Sequence, residues 1–240
     1  MKLIAHRGAS KEKLENTVEA LNLASEIGAY AAECDIRKTS DGVFVLFHDI
    51  NLKRLAGSEK KVNDITFKEM REILENAGLS LNTFDDACKN YTGSSYILCD
   101  IGNENWQNGI YWECDDEFFK MLADAPFNVI CGVHRPEEAK LASKYFPGEQ
   151  ILAFMPKAEE AEDFYKNGAG IIRLWEQWLD NCTPADIKEK CPDAEVWIMS
   201  NKPDIGQDGC PETLKRVKQL GTDGVLLNDI RMAAETTFKI

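Results

Sequence analysis

The sequence predicts a (β/α)8 TIM barrel. Short apolar runs recur along the chain, most are followed by an amphipathic stretch, and 240 residues suit one such barrel as a single domain over 1–240. The expected strand 3–5 precedes a helical run over 16–27, and strand 31–36 comes next. Strand 96–101 precedes helix 115–123, strand 128–133 precedes 136–145, and strand 150–155 precedes 158–166. Strand 170–175 precedes helix 184–190, strand 195–199 precedes 211–220, and strand 224–227 precedes a short closing segment from Arg231. These are eight strands. One further run, 43–47, follows the second strand across only Ser40-Asp41-Gly42. A parallel crossover needs about a dozen residues, so this run is expected to fold back as an accessory hairpin strand that delivers His48 to the rim. Residues 51–80 have a looser pattern with one helix over 67–76, and are expected to form a small rim insertion.

Composition narrows the function. The net charge is −13 and no Lys/Arg cluster occurs, which argues against nucleic acid as a partner. A small anionic substrate stays compatible, because one bound metal reverses the local field. Eight cysteines are present without any C-x-x-C pair, so a zinc ribbon is not expected. Cys34, Cys99 and Cys131 sit in strand runs, where a thiol packs as a small hydrophobe; a reduced, cytoplasmic chain is the simpler reading. No apolar run has membrane-spanning length, and residues 1–5 are too short for a signal peptide. The sequence leaves the oligomeric state open.

The chemistry concentrates in the first fifty residues, which hold His6, Arg7, Glu15, Glu33, Asp35 and His48. Barrel sites lie at the C-terminal strand ends. His6 ends the first strand, Glu33 and Asp35 end the second, and Asp100 ends the third. Glu33 and Asp35 are two apart, so both point the same way, and like charges on one side need a cation. Alone, such a pair is a solvated rim; alone, His6 or His48 is a packed or turn-capping histidine. Their convergence on one mouth favours a site. Imidazoles trade protons, clustered carboxylates hold a hard cation, and arginine holds phosphate. His134 precedes Arg135-Pro136 and is expected to be an ordinary loop histidine. Asn16 or Thr17 is expected to cap the first helix. Trp175, Trp178 and Trp197 are expected in the core, or at a strand end as an apolar wall. Glu176 and Arg173 interrupt the sixth strand, where inward-pointing charge would belong to the mouth.

These residues resemble the glycerophosphodiester phosphodiesterase family, whose pattern runs H-R-G, P-E-N-T, E-x-D, T-x-D-G into H-D, then E-x-K. Here the corresponding residues are His6-Arg7-Gly8, Leu14-Glu15-Asn16-Thr17, Glu33-Cys34-Asp35, Thr39-Ser40-Asp41-Gly42, His48-Asp49 and Asp100-Ile101-Gly102. Gly221-Thr222-Asp223-Gly224 is similar to a closing G-x-D-G, and Trp197 to a later tryptophan strand. The resemblance implies a barrel that hydrolyses glycerophosphodiesters to an alcohol and glycerol 3-phosphate. It implies His6 and His48 as the acid–base pair, Arg7 on the phosphate, and Glu15, Glu33, Asp35 and Asp100 around one Mg2+ or Ca2+. Leu14 and Asp100 replace the family's proline and glutamate. Gly102 replaces the lysine, so one cationic contact is lost, and Arg173 is the expected substitute. The related sphingomyelinase D group is the lesser match, because it lacks E-N-T. A non-catalytic ligand-binding barrel competes with hydrolysis. A lysophospholipid substrate also competes, and would need an apolar rim from Trp106, Tyr111, Trp112, Phe118 and Phe119.

Overall fold

The computed structural model describes residues 1–102, 104–105, 109–110, 112–199 and 210–237. Its elements run β1 (Lys2–Ala5), α1 (Val18–Ile27), β2 (Ala31–Lys38), β3 (Phe44–Leu46), α2 (Lys53–Ala56), α3 (Phe67–Asn76), α4 (Phe84–Asn90) and β4 (Tyr96–Ile101). A two-residue hairpin, β5 (Glu104–Asn105) with β6 (Gly109–Ile110), follows. Then come α5 (Asp116–Ala123), β7 (Val129–Val133), α6 (Pro136–Ala142), β8 (Ile151–Ala153), α7 (Ala161–Lys166), β9 (Ile171–Trp175) and α8 (Pro184–Lys190). The barrel ends with β10 (Glu195–Met199), α9 (Pro211–Gln219), β11 (Gly224–Leu227) and α10 (Ile230–Thr237).

The parallel strands follow one another as β1, β2, β4, β7, β8, β9, β10 and β11, and β11 returns to β1. This closed ring of eight is the expected TIM barrel. β3 lies antiparallel on β2, pairing Ile36 with Leu46, as the short Ser40-Asp41-Gly42 connection requires. Residues 51–80 contribute α2 and α3, and Leu52, Val62, Ile65, Met70 and Leu74 pack with Val45 and Phe47 into a separate apolar cluster.

Two local features depart from the sequence reading. α1 starts at Val18 rather than at Asn16. Asn16 has φ +57°, which no right-handed helix accommodates, and the Thr17 hydroxyl accepts the Ala20 N–H as the cap. α4 was not expected. Its signature is the reciprocal capping box of Thr83 and Asp86, and it supplies the crossover helix from β2 to β4.

The core has two shells. One lies between strands and helices. The other fills the barrel, with one inward residue per strand: Ile4, Ala31, Leu98, Ile130, Leu152, Ile171, Trp197 and Leu226. Because side chains alternate along a strand, the next inward residue is always two further toward the C-terminal mouth. Adding two to each gives His6, Glu33, Asp100, Gly132, Phe154, Arg173, Met199 and Asn228. The apolar plug is thus the floor of a single layer that carries most of the polar residues of the barrel's interior.

Candidate active site

His6 stands one residue past β1. Its Nδ1 lies 2.7 Å from Asn228 Oδ1, one residue past the neighbouring β11. An amide oxygen only accepts, so the ring hydrogen sits on Nδ1 and Nε2 keeps its lone pair. Nε2 lies 3.9 Å from Glu33 Oε2. Burial first, and Arg7 second, hold the His6 pKa below the ordinary histidine value.

The turn after His6 is tightly specified. Arg7 has φ +57° and Gly8 has φ +75°. A Cβ at Gly8 would lie 2.6 Å from the backbone of Ala20, so only glycine lets this turn rest on α1. The strained Arg7 backbone donates its N–H to Glu33 Oε2 at 2.6 Å. Its Nη1 donates to Glu15 Oε1 at 2.9 Å, and its Nε lies 3.5 Å from Asp35 Oδ2. Asn16, the second residue with positive φ, holds Asp35 from both sides. Its Nδ2 donates to Asp35 Oδ2 at 2.8 Å, and its Oδ1 accepts the Asp35 N–H at 2.9 Å. The alternative role as helix cap falls to Thr17 alone.

Glu33, Asp35 and Asp100 each offer one oxygen, and these oxygens lie within 4.8 Å of one another. Burial first, then the neighbouring charges of Asp35 and Asp100, raise the Glu33 pKa well above the carboxylate range. Glu33 Oε1 is buried and accepts no hydrogen bond. An all-oxygen donor set, an orphaned carboxylate oxygen and mutual repulsion all fit a hard divalent cation. Glu15 stands outside this group. Arg54 binds both of its oxygens, with Nη1 at 3.0 Å from Oε2, and Arg7 shares Oε1.

His48 enters from the arm after β3, with its side chain partly exposed. Its Nδ1 lies 2.8 Å from Asp49 Oδ1, and Asp49 is tied to Arg54 Nε at 2.7 Å. Burial works against the imidazolium, but Asp35 and the Asp49 hydrogen bond outweigh it and the His48 pKa rises. Burial also opposes the Asp49 carboxylate, yet His48 and Arg54 hold its pKa at about 2.

On the opposite side the structure corrects one expectation. His134 is not an ordinary loop histidine: its Nε2 lies 2.6 Å from Asp100 Oδ1, and its ring stacks on Phe154 at 5.3 Å. Its backbone N–H is held by Glu138 at 3.0 Å. Phe154 reaches this place because Gly132 leaves room; a Cβ there would lie 2.5 Å from the ring. Arg173 points inward and is 1% exposed, with its Cζ 4.0 Å from the Trp175 ring and 5.2 Å from Phe154. Its Nε and Nη1 are buried without hydrogen-bond partners. Burial lowers its pKa to about 9, opposed by Asp100. Glu176 turns away to Arg216 Nη1 at 3.2 Å.

Trp197 is core, and its Nε1 donates to Glu195 at 2.8 Å. Phe118 and Phe119 are buried between strands and helices. Trp112 packs on Phe118 and Phe44 at 4.9 and 5.5 Å. These three therefore form no free apolar rim, and Trp106 and Tyr111 lie outside the described residues. The contacts of Arg54 and Asn228 were not read from the sequence; each follows from topology, with no local motif to mark it.

Comparison with known proteins agrees with this fold. The family model described as Glycerophosphoryl diester phosphodiesterase family matches residues 6–151, more than half of the chain. A mouse protein named Lysophospholipase D GDPD3 is 46% identical over 70 residues, 29% of this chain and 21% of that one. A glycerophosphodiester phosphodiesterase from Caldanaerobacter subterraneus is 41% identical over 71 residues, 30% of this chain and 29% of that one. The matched stretches thus span less than a third of these relatives' length. Among solved structures, a glycerophosphodiester phosphodiesterase from Thermotoga maritima superposes with a TM-score of 0.71 at 21% identity, covering 97% of this chain and 96% of that one. An Oleispira antarctica phosphodiesterase, solved with the product sn-glycerol-3-phosphate, gives 0.70 at 17% identity, with 99% and 97% covered. One family model over more than half of the chain settles the affiliation: this chain belongs to the glycerophosphoryl diester phosphodiesterase family.

Proposed function

We propose that this chain hydrolyses glycerophosphodiesters to an alcohol and glycerol 3-phosphate, with one Mg2+ or Ca2+ held by Glu33, Asp35 and Asp100. The observation that carries the reading is a three-carboxylate oxygen cluster with His6 Nε2 3.9 Å from Glu33 and His48 close enough to Asp35 to feel its charge. A bound cation supplies Lewis-acid polarisation of the phosphate. Arg7, fixed between Glu15 and Asp35, and Arg173, with guanidinium nitrogens to spare, are the proposed phosphate contacts. His6 is the proposed base. Its hydrogen is committed to Asn228, and its free Nε2 takes a proton from the water that attacks phosphorus. His48, kept protonated beside Asp35 and Asp49, returns a proton to the oxygen of the departing alcohol as the P–O bond breaks.

Glu15 serves the arginines in this reading: it anchors Arg7 and Arg54 and reaches a cation only by releasing them. All eight cysteines are unpaired, which supports a reducing, cytoplasmic setting. No helix among the described residues is long and apolar enough to cross a membrane.

The test is release of glycerol 3-phosphate from glycerophosphocholine and related diesters by protein carrying Mg2+ or Ca2+. Turnover is expected with metal, lost on chelation together with several degrees of melting temperature, and regained on adding metal back. Activity that survives exhaustive chelation overturns the metal assignment. Binding of glycerol 3-phosphate without turnover of any diester overturns hydrolysis and leaves a binding barrel.

A further inference from the structure

Gly102 leaves space at the end of β4, and that space is filled from the neighbouring strand. A Cβ at Gly102 would stand 3.0 Å from the Ile36 carbonyl oxygen and 3.1 and 3.3 Å from Cγ and Cζ of Arg37. The Arg37 side chain thus lies directly over the glycine. From there its guanidinium makes two charge-assisted hydrogen bonds. Nε donates to the backbone carbonyl of His48 at 2.6 Å, and Nη1 donates to the carbonyl of Gly102 at 2.8 Å.

What these bonds join matters. The last backbone bond from the accessory arm to β2 runs from Phe47 N–H to the Asp35 carbonyl at 3.0 Å. One residue later the chain leaves the sheet, and Arg37 takes over as its attachment to β2. The other bond reaches the end of β4, two residues beyond Asp100 in the carboxylate cluster. One side chain therefore sets the distance between the arm that mounts His48 and the strand that mounts Asp100.

We propose that Arg37 is a positioning residue for His48, and that glycine at 102 is what gives its guanidinium access to both carbonyls. The proposal rests on His48 as the proton donor. It accounts for the missing strand-end lysine in a way a simple loss does not: a side chain at 102 and the Arg37 strap compete for one volume.

The test combines kinetics with histidine ring spectra. Arg37→Ala is expected to lower kcat by about 10- to 100-fold with KM within about twofold, because the proton donor is displaced while binding is kept. Arg37→Lys, which reaches only one carbonyl, should fall between. Gly102→Ala, which leaves Arg37 in the chain but crowds it, should lower kcat in the same direction by less. In a His48→Ala background, Arg37→Ala should bring no further loss. A loss as large there as in the wild type means a general structural role and overturns the proposal. So does unchanged kcat in both Arg37→Ala and Gly102→Ala. Should Arg37→Ala fail to fold, Gly102→Ala and Arg37→Lys carry the same comparison. Should the wild type turn over no diester, the 15N-resolved imidazole signals decide independently. The proposal requires the His48 signals to shift or broaden in Gly102→Ala and Arg37→Lys while those of His6 stay. Unmoved His48 signals overturn it.

Discussion

The two sides of the barrel mouth are built on opposite electrostatic plans. On the β1–β2 side the charges are largely paired within the chain: Arg7 with Glu15 and Asp35, Arg54 with Glu15 and Asp49, Asp49 with His48, while Arg7 Nε donates and Glu33 Oε1 accepts no hydrogen bond. On the β4–β9 side Asp100 is met by His134, but Arg173 is sealed among Phe154, Trp175 and Trp178 with two guanidinium nitrogens unsatisfied. The first side pairs its arginines directly with carboxylates. The second carries an uncompensated cation, a costly arrangement that a bound phosphate would relieve. Under the proposed function both proton-transfer histidines belong to the first side, and the second adds Arg173 to Arg7 as an anion contact.

The largest expected effect tests the paired side. His6→Ala and His48→Ala should each lower kcat by about 100-fold or more with the melting temperature nearly unchanged. Full activity in either variant removes that histidine from the acid–base pair. The next tests the unpaired side. Arg173→Met should lower kcat/KM by about 10-fold through KM, and it should raise the melting temperature, since a buried unpaired charge is replaced by a side chain that packs. A fall in both would show that Arg173 is structural and break the contrast.

His134→Asn probes the carboxylate cluster from behind. Losing the bond to Asp100 should weaken divalent-metal affinity by roughly 10-fold, measured by calorimetric titration. Unchanged affinity would confine His134 to packing on Phe154. The smallest effect is on pH dependence. The Asp49 pKa lies at about 2 when folded against an ordinary value of 3.8, so its pairing stabilises the fold above pH 3.8 and is lost as pH falls toward 2. Asp49→Asn should therefore be less stable than wild type at neutral pH, with the gap narrowing toward pH 2. It should also pull the basic limb of the kcat/KM profile down, because His48 loses a group that raises its pKa.

The same contrast explains what the sequence made legible. The paired side comes from consecutive short stretches, so His6, Arg7, Glu15, Glu33, Asp35 and His48 stand out within fifty residues. The barrel was legible because strand–helix alternation leaves a periodic trace. The opposite side takes one residue from each of several strands. Nothing near His134 in the chain marks it, because its partner Asp100 is thirty-four residues away. Arg173 was noticed because charge interrupts an apolar strand; that it goes unsatisfied follows from Phe154 and Trp175 closing around it. The geometry behind them is simple: the layer two residues above the apolar plug holds His6, Glu33, Asp100, Arg173 and Asn228, one from each of five strands. The α4 helix was missed although its Thr83–Asp86 box is a local signal. Arg37 was passed over because an arginine near a strand end, between Ile36 and Lys38, has no distinguishing context.

The bond between His6 and Asn228 has a bearing on how the protein comes into being. Its two members are separated by 222 positions along the chain, and they meet only when β11 has docked beside β1. Pairings of such long range form late in folding, after the local β–α units have condensed. Glu33, Asp35 and Asp100 come from two neighbouring early strands, whereas His6 meets its Nδ1 partner only at the end of the last one. Under the proposed function, turnover would then require the final seam of the ring and would report that the barrel has shut.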